Sequence, residues 1–376
     1  MQQWLERAAD FRQRRGIIRQ ADRVRGADGR TIDLASNDYL GLASDDRLKT
    51  AAIRAIERDG TGARAARVVT GTLGAHLELE RELCSLTGQA SALVFSSGYL
   101  ANLGVLTALG RPGALILIDE HVHASLVDAA RLSRAAVETF PHSNLVALQA
   151  SLANRTAERA IVVVESIYSV LGDAADLTAL AGLCAEHDAL LVVDEAHGLG
   201  VAGAGRGGVH AAGLADAEQV VLTATMSKAL GAQGGAVLGS PALREHLVNT
   251  ARTFIFDTGL APVAAAAAAA ACRIVVSEPQ RVVALGRNAD LIADICGVPR
   301  AAGAVQSRPL RTAEAAVRIT DRLRESGVLV GCFRPPSVPD GVSRLRMTAN
   351  ATLEPAQVRL AAELIRTAVD DEAAGP

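Results

Sequence analysis

Three residues that could share one piece of chemistry each stand at or just beyond an apolar run. Lys228 ends Val220-Val221-Leu222-Thr223-Ala224-Thr225-Met226-Ser227-Lys228, Asp194 closes Leu191-Val192-Val193-Asp194, and His123 lies in Asp119-Glu120-His121-Val122-His123, after Ala114–Ile118. A lysine amine adds to carbonyl groups as a Schiff base, although most lysines are simply solvated. A carboxylate at the end of a buried strand either caps the turn that follows or serves as counter-charge to a cation such as a protonated ring nitrogen. A flat imidazole at a strand end can stack on an aromatic ligand. Ser96-Ser97-Gly98-Tyr99 adds a strand-to-helix junction, where free amides and the helix dipole favour an anion such as phosphate.

An amine, a counter-charge, a stacking ring and a phosphate cradle are together what pyridoxal phosphate requires, a cofactor that acts as an electron sink for a carbanion. Other chemistries fit less well. His121 and His123 alternate as metal ligands could, but no third ligand has suitable spacing, so no metal is expected. Gly203-Ala204-Gly205-Arg206-Gly207-Gly208 lies in a long loop and opens no helix after a strand, so it is not a dinucleotide fingerprint.

The elements that position these residues read as α/β. Strands are expected at 92–95, 114–118, 160–164, 189–193 and 220–225, with helices at 98–108, 124–133 and about 176–187 and a short return strand at 234–239. Continuous apolar strands alternating with helices imply right-handed crossovers and a mostly parallel sheet sandwiched by helices. Residues 4–20 read as an amphipathic helix, 31–35 as an extended piece, and 46–59 and 76–87 as helices. The alanine tract Ala264–Ala271 belongs to a close-packed helix over 262–276, since alanine is the best helix former. From about residue 279 a smaller α+β rhythm begins: helices near 279–293, 312–325 and 355–369, strands near 303–308, 328–333 and 344–348. The expected division is an N-terminal helix and extended segment over 1–36, a large cofactor-binding domain over 37–278 and a small C-terminal domain over 279–376.

The totals narrow the partners. Of the 376 residues 49% are hydrophobic but only 3% aromatic, so the core must be built from Ala, Val, Leu and Ile. A net charge of −3 with scattered arginines gives no electrostatic case for nucleic acid or an anionic membrane. No apolar run reaches the ~20 residues that span a bilayer, and the charged N-terminus does not resemble a signal peptide. Five widely spaced cysteines without a Cys-x-x-Cys pair fit a reducing cytoplasm.

The chain resembles the α-oxoamine synthases, fold-type I pyridoxal-phosphate enzymes, over nearly its whole length. Ser36-Asn37-Asp38-Tyr39-Leu40-Gly41, His123-Ala124-Ser125, Asp194-Glu195-Ala196-His197-Gly198, Thr225-Met226-Ser227-Lys228 and Arg334-Pro335-Pro336-Ser337-Val338-Pro339 carry the resemblance. It implies that Lys228 bonds to the cofactor and later moves a Cα proton, that Asp194 pairs with the pyridine nitrogen, and that His123 stacks on the ring. By the same resemblance His197 and Ser169 approach the phenolic oxygen, and Ser97, Gly98, Tyr99 and Thr225 serve the phosphate. Thr258 would reach the site of a second subunit in a homodimer. Arg346 is similar to the family's arginine for the amino-acid carboxylate, with Asn37 beside the substrate and Arg19 meeting the acyl chain. Without the resemblance Arg346 reads as an exposed strand arginine. The implied partners are L-alanine and a pimeloyl thioester on coenzyme A or acyl carrier protein, with glycine-using acetyl or succinyl transferases as the alternative. Two stretches depart from the family: Ala65-Ala66 before Arg67, where a Gly-Ser pair is usual, and Val170-Leu171-Gly172-Asp173, which has one carboxylate fewer.

Overall fold

The computed structural model describes residues 1–14, 18 and 31–374. Seven strands form the main sheet: β2 (Ser91–Phe95), β3 (Ala114–Asp119), β4 (Ala136–Phe140), β5 (Arg159–Glu165), β6 (Ala189–Asp194), β7 (Val220–Thr225) and β8 (Gly235–Gly239). Their order is β2-β8-β7-β6-β5-β3-β4, and only β8 runs antiparallel to its neighbours. The smaller sheet joins β1 (Ile32–Leu34) to β9 (Val305–Pro309), β10 (Val328–Phe333) and β11 (Arg344–Thr348) in the order β1-β10-β11-β9. The extended piece near the N-terminus is thus a strand of the sheet otherwise formed by the C-terminal third.

Strands β3 and β7 are buried throughout and β5 and β6 nearly so, because helices cover both faces of the sheet. Side chains of Ser97, Asn144, Asp176 and Ser240 each accept a hydrogen bond from the first turn of the helix that follows, which sets the start of those crossovers. The alanine tract is a helix, Pro262–Ser277, packed against helices Asp46–Asp59 and Gly74–Thr87. Its methyl-sized side chains permit that close approach. Among the described residues no single helix is long and apolar enough to cross a membrane. That helix passes such a test only jointly with Gln280–Cys296, and the two are bent by 82°.

Most expected elements are present with their ends moved by a few residues. The leading helix is described over Gln2–Arg14 and Ile18 is not helical; the rest of the expected span, with the expectation for Arg19, lies outside the described residues. Among the described residues six elements were not expected: β4, the helices Leu145–Asn154 and Pro241–Thr250, and the single turns Gly203–Gly205, Gly208–Ala211 and Arg252–Ile255. β4 is an edge strand with four of its five residues exposed, so no apolar run announces it.

A buried ion pair secures the loop at 60–72. Arg67 donates to Glu80 Oε1 at 2.8 Å and to the Val94 carbonyl at 3.2 Å, and the Val94 amide donates back to Glu80 Oε1 at 3.1 Å. Both side chains are almost fully enclosed. Arg67→Ala leaves the Glu80 carboxylate with only Arg244 at 3.4 Å as counter-charge. We expect a loss of about 3–5 kcal/mol in urea unfolding, the usual cost of breaking a buried pair from one side.

Candidate active site

The strand order reverses between β3 and β5: from β3 the chain moves outward to β4, returns to β5 and then builds the other way through β6 and β7. Open α/β sheets bind ligands in the crevice at the carboxyl ends of the strands beside such a reversal. There the structure has a cavity of about 250 Å³ lined by Ser97, Gly98, Tyr99, Asn102, His123, Ser125, Glu165, Asp194, Ala196, His197, Thr223, Ala224, Thr225, Ser227 and Lys228. Eight residues singled out from the sequence meet on this lining: Ser97, Gly98, Tyr99, His123, Asp194, His197, Thr225 and Lys228.

Asp194 is the last residue of β6 and is buried. Ala196 N donates to its Oδ1 and Asn102 Nδ2 to its Oδ2, each at 2.8 Å. Asn102 Nδ2 also donates to Ser125 Oγ at 2.9 Å, and that hydroxyl lies 2.7 Å from His123 Nδ1. One amide therefore ties the carboxylate to the imidazole. Burial holds His123 below its ordinary pKa with help from the Lys228 charge and against Asp194, so its ring is neutral. His197 is held well below its ordinary value by burial and by Lys228 and Arg346, and its Nδ1 lies 2.6 Å from the Tyr39 hydroxyl. Burial pushes that phenol up to about 12.

Lys228 is half-buried, and its ammonium has no hydrogen bond or ion pair among the described residues. Burial lowers its pKa, while Asp194 and Glu165 act to raise it. A desolvated lysine without a partner, facing an enclosed polar cavity, is a reactive amine. Glu165 ends β5 opposite Asp194 in register. Its Oε1 accepts from His123 N at 2.6 Å and its Oε2 from Ser169 N at 3.1 Å. Burial and the neighbouring Asp194 raise it to about 8.

At the cavity's other end the helix Gly98–Leu109 begins. Ser97 Oγ accepts from Leu100 N and the Ser97 carbonyl from Ala101 N, so the amides of Gly98 and Tyr99 remain free. Thr225 Oγ1 and Ser227 Oγ lie beside this end, 2.7 Å apart. Two glycines make the approach possible: a Cβ on Gly98 would stand 3.0 Å from Thr225 Cβ, and one on Gly235 only 2.2 Å from the Ser97 carbonyl oxygen.

The other expected residues that the structure describes stand outside the lining. Arg346, on β11, is buried rather than exposed, which corrects the reading of it as a surface arginine. Its Nε donates to the Ser169 carbonyl at 2.7 Å, and its Nη1 donates to Asn37 Oδ1 at 3.0 Å and Thr348 Oγ1 at 3.1 Å. Nη2 makes none of these bonds. Asn37 Oδ1 also accepts from Tyr39 at 3.2 Å, which links Arg346 through Tyr39 to His197 on the lining. Ser169 meets Glu165 and Arg346 through its backbone alone. Thr258 forms a backbone bridge with Ala66, within the loop that carries the Ala65-Ala66 departure.

This donor set fits pyridoxal phosphate: an unpartnered amine, a carboxylate, a neutral flat imidazole and a helix N-terminus with two free amides. Two buried polar atoms on the lining, Asn102 Oδ1 and Thr223 Oγ1, have no partner among the described residues, which suits a polar ligand.

Known proteins resemble the chain in sequence and in fold. The family model for aminotransferase class I and II matches residues 30–365. A protein of Mycobacterium sp. (strain KMS) named 8-amino-7-oxononanoate synthase is 51% identical over 352 residues, 93% of this chain and 92% of its own length. One of the same name from Mycobacterium marinum is 48% identical over 374 residues, 99% and 95% of the two chains. Among solved structures, a serine palmitoyltransferase from S. paucimobilis with bound PLP–myriocin aldimine superposes with a TM-score of 0.87 at 30% identity, covering 92% of this chain and 89% of that one. The crystal structure of 8-amino-7-oxononanoate synthase from Francisella tularensis gives 0.79 at 27% identity, covering 92% and 100%. Agreement of this extent in sequence and fold has one meaning: the chain belongs to the aminotransferase class I and II family, fold-type I pyridoxal-phosphate enzymes, and within it to the acyl-transferring 8-amino-7-oxononanoate synthases.

Proposed function

We propose that the protein condenses L-alanine with a pimeloyl thioester, releasing carbon dioxide and the free thiol carrier and forming 8-amino-7-oxononanoate for biotin synthesis. The observation that carries this reading is the meeting of Lys228, Asp194 and His123 on one cavity that communicates through Tyr39 with a buried arginine. Pyridoxal phosphate, when bound, supplies the electron sink that makes a carbanion at the amino acid's Cα accessible. Lys228 holds the cofactor and takes the Cα proton at Nζ, a task suited to an amine whose pKa burial has lowered. Asp194 pairs with the ring nitrogen, and Asn102 and Ala196 aim its oxygens. His123 covers the ring. His197 faces the phenolic oxygen with its ring held at Nδ1 by the Tyr39 hydroxyl, and Ser169 lies nearby. Ser97, Gly98, Tyr99 and Thr225 hold the phosphate.

Arg346 receives the alanine carboxylate on Nη2 while Ser169 and Asn37 fix its other nitrogens. The carbanion bonds to the acyl carbonyl carbon as the thiol leaves, the alanine carboxylate departs as carbon dioxide, and a proton returns to Cα.

A homodimer in the cytoplasm completes the reading. Val69 and Phe256, on the two segments bridged by Ala66 and Thr258, are 72% and 70% exposed, an apolar edge that a second copy would cover and from which Thr258 would reach the neighbouring phosphate. All five cysteines are free thiols, as a reducing compartment keeps them.

The test is thiol release from pimeloyl, acetyl and succinyl thioesters with L-alanine or glycine, the pimeloyl donor offered on coenzyme A and on acyl carrier protein. We expect L-alanine with a pimeloyl donor to be turned over fastest. A preference for glycine with acetyl or succinyl donors would replace this reading by that of a glycine-using relative.

A further inference from the structure

A second cluster of titratable groups lies behind the cavity, outside its lining. His142 follows β4, and its ring stands between two carboxylates: Nδ1 is 2.8 Å from Asp119 Oδ1 and Nε2 is 2.7 Å from Asp173 Oδ2. A neutral imidazole has one N–H and one lone pair, so it can donate to only one of them, and the lone pair would face the other carboxylate. The arrangement therefore calls for an imidazolium. Its surroundings agree with a single cation. His121 stacks on it with ring centroids 3.9 Å apart and planes at 17°, and is itself held below its ordinary pKa by burial and by the His142 charge. Tyr168 meets the ring edge-on at 4.5 Å, and Glu120 Oε1 accepts from the His142 amide at 3.0 Å. Ser143 N donates to Asp119 Oδ2 at 2.9 Å.

What this cation grips leads back to the site. Asp173 is the retained carboxylate of the departing Val170-Leu171-Gly172-Asp173 stretch, and its carbonyl accepts from Tyr168 N at 2.8 Å while Gly172 N donates to the Tyr168 carbonyl at 3.0 Å. Ser169 sits inside the turn thus closed, with its amide on Glu165 and its carbonyl on Arg346 Nε. Hydrogen bonds joined by the backbone of the 168–173 turn thus lead from Asp119 at the end of β3 through His142 and Asp173 to the arginine.

We propose that His142 is a positioning residue: gripped as a cation between Asp119 and Asp173, it fixes the 168–173 turn so that the Ser169 carbonyl aims Arg346 at the carboxylate of the amino-acid substrate. This rests on the reading that Arg346 receives that carboxylate. Burial works against the charge, yet hydrogen bonds to Asp119 and Asp173 raise His142 to about 9. The sign follows: a raised histidine grips fully below the ordinary value of about 6.5 and lets go as pH rises through about 9. The titratable groups facing it are Asp119, Glu120 and His121 from the end of β3, and Tyr168 and Asp173 from the turn.

The experiment compares holoenzymes of the native chain, His142→Gln, Asp173→Asn and, as reference, Arg346→Lys. His142→Gln is expected to raise the amino-acid KM about tenfold with kcat nearly unchanged, and to speed amide hydrogen exchange within 168–173. Native KM should climb above about pH 9, a step that His142→Gln lacks. Asp173→Asn removes only the half-exposed partner and should shift KM the same way by less, which covers the case in which His142→Gln fails to fold. An unchanged KM in these variants while Arg346→Lys raises it overturns the inference alone. So does a higher KM without faster exchange in the turn. If Arg346→Lys itself leaves KM unchanged, the reading of Arg346 falls, and this inference falls with it.

Discussion

Lys228→Ala is expected to fold normally and to lose turnover by about 10⁴-fold, because in the proposed function the one side chain both holds the cofactor and moves the Cα proton. The substitution removes a half-buried cation that has no hydrogen bond or ion pair among the described residues, so no buried partner is orphaned and the thermal midpoint should barely move. Borohydride treatment of the native holoenzyme should fix the cofactor to the chain as a mass increase on the peptide containing residue 228. The Ala variant should show no such increase even when it still binds the cofactor, since the phosphate and ring contacts remain. A variant that retains turnover within about tenfold of native would remove Lys228 from the chemistry.

Asp194→Asn is the second large effect, a fall of about 10³-fold in kcat. Asn102 Nδ2 and Ala196 N each donate to one oxygen of this carboxylate. An asparagine must turn its own NH₂ toward one of those donors, so the change removes the negative charge and misaligns the group that remains. The loss should fall on kcat more than on the amino-acid KM, because the proposed function assigns the substrate carboxylate to Arg346, not to Asp194. Steady-state kinetics at saturating cofactor separate the two, and a loss confined to KM would contradict the pairing of Asp194 with the ring nitrogen.

The residues legible in the sequence were those announced by a buried strand. Lys228, Asp194 and His123 each follow an apolar run, and a parallel sheet carries the ends of such runs to one edge. Glu165 follows Ala160–Val164 in the same manner and could have been found by that rule, but a carboxylate adds less to a cofactor reading than a lysine does. Asn102 was missed because it lies inside the helix Gly98–Leu109. The signal was there, a single amide in an otherwise apolar first two turns, four residues beyond Gly98. Tyr39 was quoted only as part of a motif, since nothing local says that its hydroxyl meets His197 across the fold. The His142 clasp was illegible for a like reason: its partners Asp119 and Asp173 come from the end of β3 and from the turn after β5, and β4, which delivers His142, has no apolar run. Strand-end chemistry is local in sequence, whereas what orients it is assembled from afar.

The pairing of β1 with β10 bears on how the molecule is made. On a ribosome the seven-stranded sheet has all its strands once Gly239 has emerged, but Ile32 must wait for Val328 before it finds its neighbour. Until then the smaller sheet lacks a border strand, and the nascent chain carries Ile32 and Leu34 uncovered through most of its synthesis. Closing so distant a contact comes late and slowly. Release from the ribosome, rather than formation of the cofactor-binding half, should therefore be the moment at which this protein becomes resistant to proteases.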